Sequence, residues 1–472
     1  MNQFSPQEDR SDLNELILQY ENWKNGRSAA FLEEESFERI IDYFEDKEDM
    51  KEALEACELG LSIFTFSASL MIKKANILLE IRQYNAALRI LEKAETLDGM
   101  SADLCVLKTE AFLALDMQED AIGFLNDVLP QFEGEERIEL LFELCDVYDD
   151  YEEFDKVFDV LAMILTEDPL NEEALYKICF WTDFTGKNEA SIKIHQDIID
   201  EYPYCELAWF NLGAAYQGLK LYEKAIDAYM YCTAIDEKFD YAYRNMGDAY
   251  IRLRKYKDAI EMLEKVLELS RPEEVIHDAI GYCYDKLKQW AQARFHYKKA
   301  SHLNPSESKF YYKIACTYHN EGRFDASEKQ LEQALKMNPA HTDYNLAMGL
   351  TLAEIDKWEE SLPFLLKVVR SRPKNTKGWI ALIETFMAME DWDKAEESAL
   401  MAYVQNNKKT IFLFKLVAIH FFSGKMKEAL IQLETAMQLD ARMYKKLTDW
   451  CPQILQHPGA MAIISRFRKK RL

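Results

Sequence analysis

The chain has 472 residues, 49% of them hydrophobic, and its 83 acidic and 57 basic side chains give a formal net charge of −26. This charge repels nucleic acid and anionic membrane surfaces, so binding to either is not expected. The longest apolar stretch, 411–422, contains Lys415 and His420 and falls short of the roughly 20 residues that a membrane-spanning helix needs, so no membrane span is predicted.

The first 33 residues differ in pattern from the rest of the chain. Residues 1–12 carry more acid than base and have no apolar core, so a targeting segment is not expected. Apolar residues at helical spacing follow at 13–23, which predicts a lead-in helix. Residues 1–33 are therefore interpreted as an N-terminal lead-in or capping segment.

From residue 34 to residue 443 the sequence repeats with a period of 34 residues, interrupted by one insertion of two residues near 133–137. Counting from Glu34, the twentieth position of each repeat holds a small residue, with one larger exception, Val157. These residues are Ala53, Ala87, Ala121, Val157, Ser191, Ala225, Ala259, Ala293, Ser327, Ser361, Ala395 and Ala429. A fixed period of this length indicates a stacked array of repeats.

Each repeat carries two apolar stripes at helical spacing, separated by a short polar stretch. In the repeat that begins at Glu206, residues 218–222 allow only a tight reversal, so the two helices are predicted to be antiparallel neighbours. Small residues also recur at the eighth position, and we expect them to face the twentieth position where the helices cross. They are Gly213, Gly247, Gly281, Ala315 and Gly349.

The residues that recur are those of a known family. The repeat from Glu206 has Trp209, Leu212, Gly213, Tyr216, Tyr222, Ala225, Tyr229 and Ala234, and closing prolines stand at Pro169, Pro203, Pro305, Pro339 and Pro373. On these residues the chain resembles the tetratricopeptide repeat family over 34–443, although several repeats lack the proline and are assigned by period alone. The resemblance implies an all-α, right-handed superhelical solenoid of about twelve helix-turn-helix repeats with capping helices at both ends. It implies no reaction.

No linker or low-complexity tract interrupts residues 34–443, which are therefore interpreted as one continuous solenoid. Residues 444–472 are predicted to form C-terminal capping helices and a basic tail. A short helix at 444–450 would stop at Cys451, and an amphipathic helix at 459–470 would cover the end of the stack. The covering residues would be Met461, Ile463, Ile464 and Phe467, and the tail consists of Arg466, Arg468, Lys469, Lys470 and Arg471.

No set of residues has the spacing of a catalytic, phosphate-binding or metal site, so no enzyme activity, cofactor, metal or small-molecule substrate is expected. The nine cysteines fall on core positions of the repeats and not in pairs. Unpaired structural thiols fit a reducing compartment, so the cytoplasm is the expected location.

The charge is distributed unevenly. Residues 1–200 contain 47 acidic and 17 basic side chains, whereas residues 201–472 contain 36 and 40. The acid is densest at 146–159. Two interpretations stand, a solvated acidic surface and the attraction of a basic protein partner.

In the family, first-helix positions two, five, six, nine, twelve and thirteen line the concave wall. Transferred to the middle repeats, these positions give the predicted partner-binding residues Tyr176, Lys177, Phe180, Phe210, Asn211, Gln217, Tyr241, Arg244, Asn245, Asp248, Tyr282, Lys309, Tyr312 and Lys313. Rings among amides and charges of both signs suit a groove for an extended peptide. Asn211 and Asn245 share position six, as they would in a ladder along a peptide backbone.

Two hypotheses about function follow. In the leading one, the chain is a non-enzymatic interaction protein whose concave groove holds a segment of another protein. In the alternative, it is a structural scaffold or a regulatory subunit that binds through its acidic N-terminal part and its basic C-terminal tail. The oligomeric state stays open in both.

Overall fold

The computed structural model describes residues 6–25 and 32–469, and every regular element within these ranges is helical. The chain divides into two compact units, Met1–Glu237 and Lys238–Leu472, which we call the N-terminal unit and the C-terminal unit. Each consists of successive helix pairs, in which the first and second helix correspond to the two predicted stripes of one repeat.

The N-terminal unit begins with α1 (Pro6–Lys24), which confirms the predicted lead-in helix. A short 3-10 helix, Leu129–Gln131, precedes α8. The helix pairs are α2 (Glu34–Asp46) with α3 (Met50–Ile63), α4 (Ala68–Glu80) with α5 (Tyr84–Asp98), α6 (Ala102–Ala114) with α7 (Gln118–Val128), α8 (Gly134–Asp150) with α9 (Phe154–Glu167), α10 (Glu172–Thr185) with α11 (Asn188–Glu201), and α12 (Glu206–Gly218) with α13 (Tyr222–Ile235).

The C-terminal unit has the same alternation and ends in shorter elements. Its pairs are α14 (Asp240–Arg252) with α15 (Tyr256–Leu269), α16 (Glu274–Lys286) with α17 (Trp290–Leu303), α18 (Ser308–Asn320) with α19 (Phe324–Met337), α20 (Thr342–Ala353) with α21 (Trp358–Ser371), α22 (Thr376–Ala388) with α23 (Trp392–Gln405), and α24 (Thr410–Phe422) with α25 (Met426–Asp440). The 3-10 helix Ala441–Met443, α26 (Tyr444–Trp450), the 3-10 helix Pro452–Gln456 and α27 (Pro458–Lys469) follow.

The residue at position 15 of every repeat has a positive φ and ends the first helix. Glycine occupies this position only at Gly186, Gly322 and Gly424; elsewhere a polar residue such as Lys220 (φ 62°) adopts the left-handed conformation. In most repeats the next backbone N–H then donates to a carbonyl five residues earlier, as from Leu221 to Tyr216 at 2.9 Å. This Schellman-type turn reverses the chain, which makes the paired helices antiparallel neighbours as predicted.

The first and second helices of a repeat cross at positions 8 and 20. The buried hydroxyl of Ser327, at position 20, donates to the carbonyl oxygen of Ala315, at position 8, over 2.9 Å. The predicted facing of these positions is therefore confirmed here. Position 24 of the second helix also packs against position 8. A Cβ on Gly213 at position 8 would lie 2.5 Å from the Tyr229 ring at position 24.

The predicted capping helices at 444–450 and near 459–470 are observed as α26 and α27, while Lys470 lies outside the described residues. Ile464 is 1% exposed, and Ile463 and Phe467 pack against the same apolar cluster as α24 and α25. Met461 differs from the prediction, since it is 36% exposed and contributes less to the cap. In the described part of the chain, no helix combines the length and apolar character required to traverse a lipid bilayer.

Candidate functional site

Within each unit, the predicted binding positions of neighbouring first helices meet on one surface. A lysine at position 6 pairs with an acid at position 9 of the preceding repeat: Lys73 with Asp42, Lys177 with Asp146 (3.9 Å) and Lys415 with Glu384 (2.5 Å). We call the surface formed by positions 2, 5, 6, 9, 12 and 13 of the first helices within a unit the first-helix face.

In the N-terminal unit this face is acidic from α2 to α8. A cavity of about 520 Å³ lies there. Its lining residues are Glu45, Ser69, Ile72, Lys73, Asn76, Asp98, Ser101, Asp103, Val106, Leu107 and Glu139. On the neighbouring α8, burial and repulsion from Asp146, Glu110 and Glu139 raise the pKa of Glu143 to about 7. Negative charge is therefore concentrated on this surface beyond what the protein itself neutralises.

On α10 the same face carries a row of exposed rings. Tyr176, Phe180 and Phe184 follow one another at intervals of four residues and are 61%, 61% and 57% exposed. The Phe180 and Phe184 rings stack with centroids 6.0 Å apart, and Phe154 at the start of α9 meets Phe184 edge-on at 4.8 Å. We call Tyr176, Phe180 and Phe184 the aromatic row.

Tyr176 and Phe180 are among the residues predicted from the sequence, whereas Phe184 is not. Phe184 occupies position 13, one of the positions transferred from the family, so the signal was present. Trp181 was also missed; it lies behind the row, stacked on Phe154 at 5.2 Å. Side chains that are large, apolar and more than half exposed on consecutive turns of one helix typically mark an interaction surface.

Lys177 lies beside the aromatic row and is already engaged within the N-terminal unit. Its Nζ is 2.8 Å from Glu173 and 5.0 Å from the centroid of the Phe142 ring. Although burial works against the charged lysine, the bond to Glu173 and the charge of Asp146 leave its pKa raised. Lys177 therefore stays a cation next to the rings and shields two of the surrounding acids.

The three predicted residues of α12 are less available than expected. Asn211 is 3% exposed and donates to the carbonyl oxygen of Leu175 (2.8 Å), with His195 Nε2 at 3.2 Å. Its amide nitrogen therefore ties α12 to the preceding repeat, which differs from the predicted role in a peptide ladder. Gln217 accepts from Tyr229 Oη at 3.2 Å, and Phe210 lies 5.7 Å from the Tyr229 ring.

In the C-terminal unit, α14 presents Tyr241, which is 59% exposed. Arg244 places its guanidinium carbon 5.8 Å from that ring and donates to Glu273 at 2.9 Å. Asp248 accepts from Arg252 at 3.5 Å, and Asn245 is half-buried. This helix therefore offers one exposed ring flanked by charges.

The remaining predicted residues lie on α16 and α18. Tyr282 is 37% exposed and meets Tyr256 edge-on at 6.3 Å. Lys313 bonds Asp278 at 2.5 Å, and Lys309 lies 3.8 Å from Glu307. Tyr312 stacks on Tyr344 at 4.9 Å, and its burial raises the pKa of the phenol.

A second cavity, of about 460 Å³, lies on the first-helix face of the C-terminal unit. Of the predicted residues only Tyr312 contributes to it, and its apolar floor comes from Leu346, Ala347 and Leu350 on α20. The full lining consists of Tyr312, Cys316, His319, Asn320, Ser327, Asp343, Leu346, Ala347, Leu350, Thr351, Asn375 and Lys377. These α20 residues hold positions five, six and nine of their repeat, which line the concave wall in the family. They were not among the predicted residues, because the family positions were applied only as far as Lys313.

At the last repeat, the chain's own C-terminal segment covers the first-helix face. Lys415 on α24 is 1% exposed, bonds Glu384 and lies 3.7 Å from the centroid of the Trp450 ring on α26. Burial lowers the pKa of Lys415 in spite of Glu384. Position 6 of this repeat is therefore unavailable to a partner.

Arg466 of the basic tail bonds Glu434 on α25. The side chains of Arg468 and Lys469, like Lys470 and Arg471, lie outside the described part of the chain. All nine cysteines are free thiols. Across residues 6–25 and 32–469, His, Cys, Asp and Glu form no group of three or more that could hold a metal ion.

These features define a helix-pair repeat protein whose exposed first-helix faces lack a recognisable reactive centre in the described residues. Two models of the tetratricopeptide repeat match the sequence, one over residues 207–239 and 308–341 and the other over 240–272. These matches identify tetratricopeptide repeats at residues 207–272 and 308–341 of the chain. Repeats of this family are protein-interaction modules and typically non-catalytic, which supports an interaction or scaffold role.

Similar solved structures are also repeat proteins. YrrB, described as a TPR protein with an unusual peptide-binding site, is 23% identical; the match covers 40% of this chain and 96% of YrrB at a TM-score of 0.36. The C-terminal part of a TPR repeat-containing protein from Cytophaga hutchinsonii is 16% identical, with 51% and 98% covered and a TM-score of 0.45. In the Cut9–Hcn1 hetero-tetramer of the APC/C, the matched chain is 11% identical, with 82% and 90% covered and a TM-score of 0.37. No curated protein matches the sequence.

Proposed function

We propose that this protein is a non-enzymatic interaction protein that binds a segment of a partner protein on the first-helix face of its N-terminal unit. The observation that carries this proposal is the aromatic row, in which Tyr176, Phe180 and Phe184 each expose more than half of their surface. Aromatic side chains supply large contact area at little cost in conformational entropy, and they are enriched at the energetic centres of interfaces.

The partner carries a net positive charge. Residues 1–200 hold 47 acidic and 17 basic side chains, so the field of this part of the chain attracts cations and speeds their association. End-to-end self-association has less support, because Arg466 of the basic tail is bonded to Glu434. Buried free thiols, such as Cys57 and Cys145, support a reducing compartment and hence the cytoplasm.

The experiment is a selection of random 12-residue peptides, displayed on phage, for binding to the full chain. The test variant is Tyr176→Ser/Phe180→Ser/Phe184→Ser. The control is Met230→Ser/Tyr231→Ser on α13, whose side chains are 54% and 57% exposed. Selected peptides should lose at least tenfold in affinity for the triple variant and keep their affinity for the control. Equal affinity for all three proteins would contradict the proposal.

A further inference from the structure

Cationic side chains are scarce in the segment 134–187 that contains the aromatic row, and each of them pairs with a carboxylate of the protein itself. Residues 134–187 contain 16 acidic and four basic side chains. Arg137 bonds Glu167 at 2.7 Å, and the other three are Lys156, Lys177 and Lys187. The three lysines share one arrangement, which indicates the kind of ligand that this surface accepts.

Each of these lysines lies over an aromatic ring and beside a carboxylate. Lys156 is 4.9 Å from the Tyr148 ring and pairs with Glu153. Lys187 is 5.2 Å from the Phe158 ring and 2.7 Å from an oxygen of Asp159. Lys177 repeats the arrangement with Phe142 and Glu173. The ring and the carboxylate attract the cation together, and the aliphatic stem of the lysine covers apolar surface.

The same combination of groups occurs at the end of α10, in a cavity of about 530 Å³. Its lining residues are Glu152, Glu153, Phe154, Asp155, Lys156, Phe184 and Thr185. Two rings and three carboxylates therefore line the same cavity. Lys156 already forms an ion pair with Glu153 and lies over the Tyr148 ring. The side chain of Asp155 is 77% exposed, and its carboxylate lies 3.7 Å from Lys187 Nζ. That Nζ bonds the backbone carbonyl of Asp155 and the carboxylate of Asp159, each at 2.7 Å.

We propose that this cavity receives a lysine or arginine side chain from the partner segment. The aliphatic stem lies on Phe154 and Phe184, and the cationic head meets Glu152 and Asp155. Phe180 and Tyr176, one and two turns back along α10, contact apolar residues of the same segment. The inference rests on the proposed function and specifies its partner as a segment that combines cationic with apolar residues.

Charge complementarity favours this occupant over others. An anionic or neutral segment would add no charge-assisted contact to Glu152 and Asp155. A nucleic acid would be repelled by the same groups. A second copy of this chain could also supply cations, and it would then form dimers whose stability depends on the same two carboxylates.

The test measures fluorescence anisotropy of a labelled 12-residue peptide of alternating lysine and leucine with the full-length protein. A second peptide has glutamine in place of every lysine. The protein variants are Glu152→Gln/Asp155→Asn and the matched control Glu119→Gln/Asp120→Asn on α7, which removes the same two charges from exposed positions. The equal change in net charge keeps long-range attraction constant, so a difference between the variants reports the local site.

We expect the lysine peptide to bind the Glu152/Asp155 variant at least tenfold more weakly than it binds wild type. Its affinity for the Glu119/Asp120 control should lie within threefold of its affinity for wild type. The glutamine peptide should bind weakly to all three proteins. Equal loss in both charge variants would overturn the inference, because attraction would then be long-range only. Concentration-dependent dimers of the wild type that dissociate in the Glu152/Asp155 variant would also overturn it in favour of a second copy.

Failure of this inference can be told apart from failure of the proposed function. If the Glu152/Asp155 variant binds the lysine peptide as wild type does while the aromatic-row variant loses the selected peptides, the inference is wrong and the proposed function stands. If the aromatic-row variant retains those peptides, the proposed function itself is wrong. Thermal unfolding of each variant, required to match wild type within about 3 °C, excludes loss of fold as the cause of weak binding.

Discussion

The hydroxyl of Ser361 donates a 3.0 Å hydrogen bond to the carbonyl oxygen of Gly349. Ser361 is fully buried, at position 20 of its repeat, and Gly349 is at position 8. The bond shows how closely the backbones of α20 and α21 approach, and it explains why position 20 is small in nearly every repeat and position 8 is small in the repeats from Gly213 to Gly349. A side chain added at Gly349 has little room, because Leu365 at position 24 of the second helix already lies there.

Gly349→Ala should therefore destabilise the protein. A Cβ at this position would lie 2.5 Å from Leu365 Cδ2 and 2.6 Å from its Cγ, so Leu365 must shift. Overpacking of this kind costs about 1–3 kcal/mol. The control is Gly123→Ala on α7, where a Cβ would meet nothing within 4 Å and helix propensity favours alanine by about 1 kcal/mol. Thermal unfolding should show a lower midpoint for the first variant and no decrease for the second.

Glu143→Gln should stabilise the protein at alkaline but not at acidic pH. Burial and the acids Asp146, Glu110 and Glu139 raise the pKa of Glu143 from 4.5 to about 7. The folded state therefore keeps a proton that the unfolded state releases between these values, so this residue's contribution to stability falls as pH rises through that window. Above it, the ionised carboxylate costs about 1–2 kcal/mol, allowing for its partial exposure.

The measurement is the thermal midpoint of wild type and Glu143→Gln at pH 5 and pH 8. The variant should unfold at the higher temperature at pH 8, where its neutral amide avoids the repulsion. At pH 5 the two proteins should agree, since Glu143 is then protonated in the folded state. An equal difference at both pH values would indicate that packing, not charge, determines the effect.

Removing Glu384 should destabilise the C-terminal unit more than removing the charge of Lys415. Lys415 is buried and bonds Glu384 at 2.5 Å, with Trp450 over its Nζ. Glu384→Ala leaves a buried cation without its anion, at a cost of about 1–3 kcal/mol. Lys415→Met removes the charge but keeps an aliphatic chain beneath Trp450, so a change below about 1 kcal/mol is expected.

Midpoints of thermal unfolding for both variants and for the double variant check this prediction. The double variant should resemble Lys415→Met, because Glu384 has no buried cation to neutralise once Lys415 is replaced. A larger loss for Lys415→Met than for Glu384→Ala would contradict the account. The ion pair would then contribute more than the desolvation of its lysine costs.

The buried thiols should react slowly with alkylating reagents in the folded protein. Burial raises the pKa of Cys57, Cys105, Cys145, Cys232 and Cys283 to about 12. At pH 8 only about one in ten thousand of these groups is the reactive thiolate. Mass spectrometry after iodoacetamide treatment should find them unmodified in the native chain and fully modified in guanidinium. Rapid native modification of all five would show that the repeats open readily.

Much of the fold could be predicted from the sequence because the repeats enforce a strict period. Small residues at positions 8 and 20 mark the helix crossings, as the Ser327–Ala315 hydrogen bond confirms. The period ends at residue 443, and so does its predictive power. The position of Trp450 over Lys415 depends on how α26 packs against α24. Because α26 lies outside the repeats, the repeat pattern does not predict this packing.

The candidate site was only partly predictable, for a related reason. Transferred positions identify which side chains face the same surface, and Tyr176 and Phe180 lie one turn apart on α10. Whether a side chain stays exposed depends on contacts between repeats. Asn211 was predicted to face a peptide, but His195 and the Leu175 carbonyl lie within reach of its amide, so it is buried.

The most direct test of the account is site-specific photocrosslinking in cells. A photoreactive phenylalanine analogue replaces Phe180 in the aromatic row or, as control, Tyr231 on α13, with the two native side chains 61% and 57% exposed. We predict that Phe180 crosslinks to one defined partner segment containing lysine or arginine, identified by mass spectrometry, and that Tyr231 does not. Crosslinking of that segment through Tyr231 and not through Phe180 would contradict the central claim.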